Sequence, residues 1–129
     1  MVLYLSVPMH GMPNKNLELA RMMEAVVTAL GEAVVVPHEV TPIEHEGPCP
    51  DGYSVSEGHS SACHLRADIA VMLLKCDAIL MGPGWHLSRG CMLEMQVATS
   101  CGLDIYFFDA TSGVIRDIEG IEWETFPVY

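Results

Sequence analysis

The sequence predicts an α/β domain built on an open, doubly wound parallel sheet of four to five strands flanked by helices. Three observations carry this. Short apolar runs of strand length alternate with segments of helical periodicity along the chain. Those runs are apolar almost throughout, as expected of parallel strands covered on both faces. A length of 129 residues, half of them hydrophobic, suits a single domain spanning 1–129, which buries roughly two-thirds of its unfolded surface without help from disulfides.

Each element has a local reason. Residues 2–7 form an apolar run ended by Pro8, a strand too short for a helix. Asn14 is placed to cap a helix over 15–30, with Leu17, Ala20, Met23, Val27 and Leu30 at helical spacing and Gly31 as the stop. A second strand follows at 33–36. The stretch 37–61 is rich in Pro, Gly, Ser, His and acids, and its length predicts a mobile lid. Helical periodicity resumes over 64–75, a third strand covers 77–81, and Gly82-Pro83-Gly84 turns the chain. A helix over 87–100 closes at Gly102, a fourth strand covers 103–108, and a short fifth is expected near 114–118. Right-handed crossovers between such strands give a flavodoxin/Rossmann-like sheet. Ligands of such sheets sit beyond the carboxyl ends of the strands, where the strand order reverses, so 6–11, 37 onward, 82–90 and Asp109 become the segments of interest.

Composition excludes several classes. The net charge is −11 with no run of Lys or Arg, which argues against a nucleic-acid groove binder or a binder of anionic membranes. The five cysteines form no C-x-x-C pair, and three lie in apolar stretches, as reduced thiols of a cytoplasmic protein would. No leader pattern or apolar run of about 18 residues is present, so a cytoplasmic location is expected.

Some residues do not fit a plain core. Glu94 has Gly90, Cys91, Val97 and Ala98 as its helical neighbours, with Cys101 two turns on. Its carboxylate therefore lies on the stripe that packs on the sheet, with no cation within a turn on that stripe. An unpaired buried carboxylate costs several kcal/mol. Either it is used, or hydrogen bonds to the backbone or a place at the stripe's edge satisfy it. Asp68 is flanked on its stripe by Leu65 and Met72, though a first-turn position favoured by the helix dipole would also explain it. Ser88, Arg89 and Gly90 open a helix after the Gly82–Gly84 turn, which suits an anion site as well as a simple Ser88 cap with a solvated arginine. His45, Cys49, His59, Cys63 and His64 cluster in the long loop. Their spacings could serve zinc but match no standard finger, and the expectation is a histidine-rich loop without metal.

Four segments carry a resemblance. They are Tyr4-Leu5-Ser6-Val7-Pro8-Met9-His10-Gly11, Arg66-Ala67-Asp68-Ile69, Cys76-Asp77-Ala78-Ile79, and Pro83-Gly84-Trp85-His86-Leu87-Ser88-Arg89-Gly90-Cys91-Met92-Leu93-Glu94. With Ala98 and Gly102-Leu103, they resemble the nucleoside 2-deoxyribosyltransferase superfamily, and within it the small phage and prophage deoxyribosyltransferase-like branch. The match spans about 2–108, and Trp-x-x-Ser-Arg-Gly-x-x-x-Glu is its most specific part. The resemblance implies a doubly wound fold that cleaves the N-glycosidic bond of a (deoxy)nucleoside or nucleotide without a cofactor. It implies a nucleophile at Glu94, its first-strand tyrosine at Tyr4, and an aspartate handling the base at Asp68. Substrate contacts then fall to Ser6, Met9, His10, Gly11, Gly84, Trp85, Ser88, Arg89 and Gly90.

Transferases of that superfamily carry an Asp where this chain has Ser88. A serine there resembles the nucleoside-monophosphate hydrolases, in which it contacts the 5′-phosphate; their Arg-containing glycine loop after the first strand is absent, its equivalent being residues 7–11. A carboxylate at that place would repel a 5′-phosphate, and Ser88 removes the repulsion. The partners expected are a small-molecule nucleoside or nucleotide and further copies of this chain, as a dimer or larger homo-oligomer. The last rests on the apolar composition, on enzymes of that superfamily completing their sites with a neighbour's residues, and on Ile118, Ile121 and Trp123 standing among acids in the tail. Two other classes stay open: a nucleotide-sequestering module of the same fold that does not depend on Glu94, and a metal-dependent hydrolase built on the His/Cys loop.

Overall fold

A computed structural model of the protein describes residues 1–50, 55–56 and 58–123. The chain runs β1 (Val2–Ser6), α1 (Leu17–Ala29), β2 (Ala33–Val35), a small hairpin of β3 (Val55–Ser56) and β4 (His59–Ser60), α2 (Ser61–Lys75), β5 (Ala78–Met81), α3 (Arg89–Ser100), β6 (Asp104–Asp109) and β7 (Val114–Asp117). The main sheet has the order β2-β1-β5-β6-β7. Pairings β1–β2, β1–β5 and β5–β6 are parallel, with Tyr4 beside Val35 on one side and Ile79 on the other.

The sheet is covered on both faces because its strands alternate. Leu3, Leu5 and Val7 of β1 and its extension join Ala78 and Leu80 of β5 in a core with Ala20, Met23 and Val27 of α1. Tyr4, Ile79 and Met81 point the other way, to Met72 of α2 and to Cys91 and Ala98 of α3. This is the doubly wound α/β arrangement the alternation predicts. The order reverses between β1 and β5, and there the strand ends meet closely: the Gly82 N–H donates to the Ser6 carbonyl at 2.8 Å. A Cβ on Gly82 would stand 3.2 Å from that same carbonyl oxygen, from the Met23 sulfur and from a Val7 methyl, so glycine is what lets the switch point close.

Three expectations are corrected. The last strand is antiparallel to β6; only residues 110–113 separate them, too few for the crossover a parallel return requires. Asn14 does not cap the first helix. Asn14, Lys15 and Asn16 all have left-handed φ of 49–61°, so α1 starts at Leu17, and Asn16 instead donates its side-chain N–H to the Pro8 carbonyl at 2.9 Å. The second helix begins earlier than its periodicity suggests, at Ser61, because the Ser60 hydroxyl accepts the Cys63 N–H and caps it.

The segment expected as a lid holds a short turn at Pro37–Glu39 and the β3–β4 hairpin. Residues 51–54 and 57 of it lie outside the described residues, as does Glu124 of the acidic tail. No helix among the described residues is long and apolar enough to cross a membrane.

Candidate active site

The site grows out of the alternation of β1. Residues two apart on a strand share a face, so Tyr4 and Ser6 both enter the layer between the sheet and the α2/α3 pair. Helix α3 presents Cys91, Glu94 and Ala98 as its buried stripe. The Glu94 carboxylate is thereby clamped at both oxygens. The Tyr4 hydroxyl donates to Oε2 at 2.5 Å and the Ser6 hydroxyl donates to Oε1 at 2.8 Å. Tyr4 and Ser6 are wholly buried and Glu94 is 6% exposed. Helix α2 buries Cys63, Asp68 and Met72, and its Asp68 carboxyl lies near enough to Glu94 and Tyr4 to feel both. The Glu94 carboxylate is thus satisfied by two side-chain hydroxyls, and Asp68 sits beyond the first turn of its lengthened helix.

Burial sets the electrostatics. It pushes the Glu94 carboxyl up to about 7, although the Tyr4 and Ser6 hydrogen bonds pull the other way. Burial, and then the Glu94 charge, pushes Asp68 up to about 8, against the Tyr4 hydrogen bond. Tyr4 itself is raised well above its ordinary value, by burial and then by the charges of Glu94 and Asp68. Two carboxyls whose charges act on each other titrate as a pair. Near neutral pH the pair can hold one charge and one proton, which is what a nucleophile working beside a general acid requires.

The remaining residues divide. Ser88 is the N-cap of α3, its hydroxyl accepting the Cys91 N–H at 3.3 Å. Arg89 is exposed beside it, and a Cβ on Gly90 would meet no atom within 4 Å, so open space lies over the start of this helix. Gly84 takes a left-handed φ of 82° in the turn that follows β5, and Trp85 packs on Phe107 with ring centroids 5.7 Å apart. The loop after β1 is not drawn to Glu94. Met9 packs against the core on the α1 side, and His10 and Gly11 are exposed. Ser6 does more than the substrate contact expected of it, since its hydroxyl is committed to Glu94.

A family model described as a domain of unknown function (DUF4406) matches residues 1–107. The chain belongs to the DUF4406 family. A search of curated proteins finds no match. Among solved structures, this DUF4406 chain is similar to a conserved protein from Enterococcus faecalis V583, with 17% sequence identity and a TM-score of 0.56. The match covers 85% of this chain and 65% of that one, so this chain spans just under two-thirds of its length. At that identity the likeness is one of fold.

The His/Cys cluster of the sequence draws together more closely than its spacing shows, with His64 left out of the group. His45, Cys49, His59 and Cys63 have ligand atoms that all lie within 4.8 Å of one another. The histidine-rich loop expected from the sequence gathers these four possible ligand side chains at one point. The sequence signal was the repeated four-residue spacing of His45/Cys49 and His59/Cys63; what it lacked was any sign that the two halves meet.

The raised carboxyls fix a pH dependence of stability. The folded chain keeps protons on Glu94 and Asp68 that the unfolded chain sheds near pH 4, so stability falls as pH rises from there through about 7 and 8. Glu94→Gln removes its share of that loss. Chemical denaturation should find the variant more stable than the parent at about pH 8.5, by on the order of 2–3 kcal/mol, with the gap closing towards about pH 4. Parallel stability curves for the two proteins would contradict the buried, clamped carboxyl.

Proposed function

We propose that this protein cleaves the N-glycosidic bond of a nucleoside or nucleoside 5′-monophosphate through a covalent glycosyl intermediate on Glu94. The observation that supports this most is the carboxylate held at both oxygens by Tyr4 and Ser6 in a buried layer, with a second, raised carboxyl at Asp68 close to its charge. Fixing both oxygens holds the carboxylate in one orientation, and poor solvation strengthens its attraction for positive charge developing at C1′.

The steps follow from those positions. The C1′–N bond breaks with its electron pair leaving on the base, and protonated Asp68 passes its proton to that base. A Glu94 oxygen forms the new bond to C1′. Water then attacks C1′, gives a proton to the Asp68 carboxylate and releases Glu94. Tyr4 stays protonated throughout and serves as a hydrogen-bond donor. A phosphate on the sugar would meet the N-terminal N–H groups of α3 and the Arg89 guanidinium, since the Ser88 hydroxyl already caps the helix. A homo-oligomer belongs to the same proposal: Ile118 and Ile121 stand 74% and 61% exposed after β7. Trp123 is withdrawn from that edge, because it stacks on Tyr106 of its own sheet at 4.6 Å.

Chromatographic assay against a panel of nucleosides and their monophosphates should detect free base. The kcat/KM profile should be bell-shaped, with its limbs near the values of about 7 and 8 carried by the pair. Glu94→Gln should keep the fold and lower turnover by roughly three orders of magnitude or more, and a 2-fluoro sugar analogue should add its glycosyl mass to the peptide bearing Glu94. Base release by the variant at near the parent rate would exclude the mechanism. Bound nucleotide without turnover in either protein would identify the sequestering module instead.

Arg89→Ala should lower kcat/KM for a deoxynucleoside monophosphate about tenfold while leaving the free nucleoside within roughly twofold. An equal loss on both substrates removes the phosphate contact. Light scattering should report a dimer or larger species at micromolar concentration; a monomer there removes the oligomer.

A further inference from the structure

The loop after β2 crosses α2 with little core beneath it. Pro42 is buried, but Ile43 is 87% exposed, and an open cleft of about 400 Å³ separates Pro42, Pro48 and Pro50 from Arg66, Ala67 and Ala70 of α2. Apolar burial alone gives this segment little reason to hold one path. Where it nonetheless converges is on four side chains. The Cys49 sulfur lies 3.6 Å from His45 Nε2 and 3.6 Å from His59 Nδ1. The Cys63 sulfur lies 3.4 Å and 3.3 Å from the same two nitrogens.

Those spacings are the edges of a coordination tetrahedron. With metal–sulfur bonds of about 2.3 Å and metal–nitrogen bonds of about 2.0–2.1 Å, tetrahedral angles put sulfur and nitrogen roughly 3.5 Å apart. Four independent S···N separations fall within 0.2 Å of that figure. The surroundings agree. His59 turns Nδ1 to the sulfurs and Nε2 to the Glu44 carboxylate at 3.2 Å, the carboxylate–histidine pairing that orients metal-bound imidazoles. The Ser60 backbone lies against the Cys49 sulfur, and Cys63 stands in the first turn of α2.

We propose that His45, Cys49, His59 and Cys63 form a tetrahedral His₂Cys₂ site for a structural zinc ion. The four donors fill the coordination sphere, leaving no open position for a substrate or an activated water, so the metal-dependent hydrolase considered from the sequence is set aside. The ion ties the loop at 45–49 to the β3–β4 hairpin and to the start of α2, the helix that also carries Asp68 five residues beyond Cys63. The loop is then anchored at this point and is not a lid free along its whole length. The site is independent of the Glu94 chemistry.

The test is metal analysis of the tag-free full chain, purified under reducing conditions and supplied with zinc. About one zinc ion per chain is expected, and cobalt substitution should give the intense visible bands and thiolate charge-transfer absorption of a tetrahedral centre. The Cys49→Ser/Cys63→Ser double variant should lose both signals, and Cys101→Ser, at an exposed cysteine outside the cluster, should keep them. Glu44 is 91% exposed, so Glu44→Gln leaves the fold alone; it should weaken zinc about tenfold in a competition with a chromogenic chelator. The proposal fails if the parent holds no more zinc than the double variant, or if cobalt binds without thiolate bands. It fails equally if the anaerobically purified chain carries a Cys49–Cys63 disulfide in place of metal.

Discussion

The position of Glu94 is the constraint around which the sheet and two helices are arranged. A carboxylate set into an apolar layer, with little of its surface open to solvent, must either give up its charge or find donors there. Tyr4 and Ser6 supply one hydroxyl to each oxygen. They can do so only because they lie two apart on a central strand and because α3 crosses that strand with Glu94 facing it. The register of β1 against β5, the Gly82 approach that brings the strand ends together, and the Ser88 cap that fixes where α3 starts all serve this alignment. A slip of one residue in β1 would turn both hydroxyls to the α1 side and leave the charge unanswered.

The same clamp limits what the site costs and what it can do. Two hydrogen bonds pull the Glu94 carboxyl down, yet burial still leaves it near 7. Asp68 ends higher because burial and then the neighbouring Glu94 charge push it up, with only the Tyr4 hydroxyl pulling the other way. The chain thus stores unfavourable electrostatics at one place, offset by two apolar cores, one on each face of the sheet. Stored charge of this kind is typical of sites where two like groups divide the acid and base roles.

Helix α2 links this layer to the His/Cys cluster. Its first turn holds Cys63, its next turns hold Asp68 and Met72, and its capping serine is also the last residue of the hairpin. A small domain with a long irregular connection has few apolar contacts to give that connection, and four polar donors at one point substitute for them. The exposed loop and the buried acid pair are therefore fixed through one rigid element, although their chemistry differs.

The local signals of the sequence determined the layered α/β fold, the strand and helix order, and the anomaly of Glu94 and Asp68. Each depends on periodicity within a few residues, and an acid on an apolar stripe stands out without any partner being known. The tertiary structure decided what those signals cannot contain. The helix start at Leu17 depends on three left-handed residues and on Asn16 reaching Pro8, not on propensity. Whether Ser6 meets a substrate or a carboxylate depends on which helix crosses β1. The four zinc-spaced side chains come from two segments, 45–49 and 59–63, and pairing between separate segments leaves no periodic trace. Proximity between residues far apart in sequence is set by how layers pack, and only the folded chain has that information.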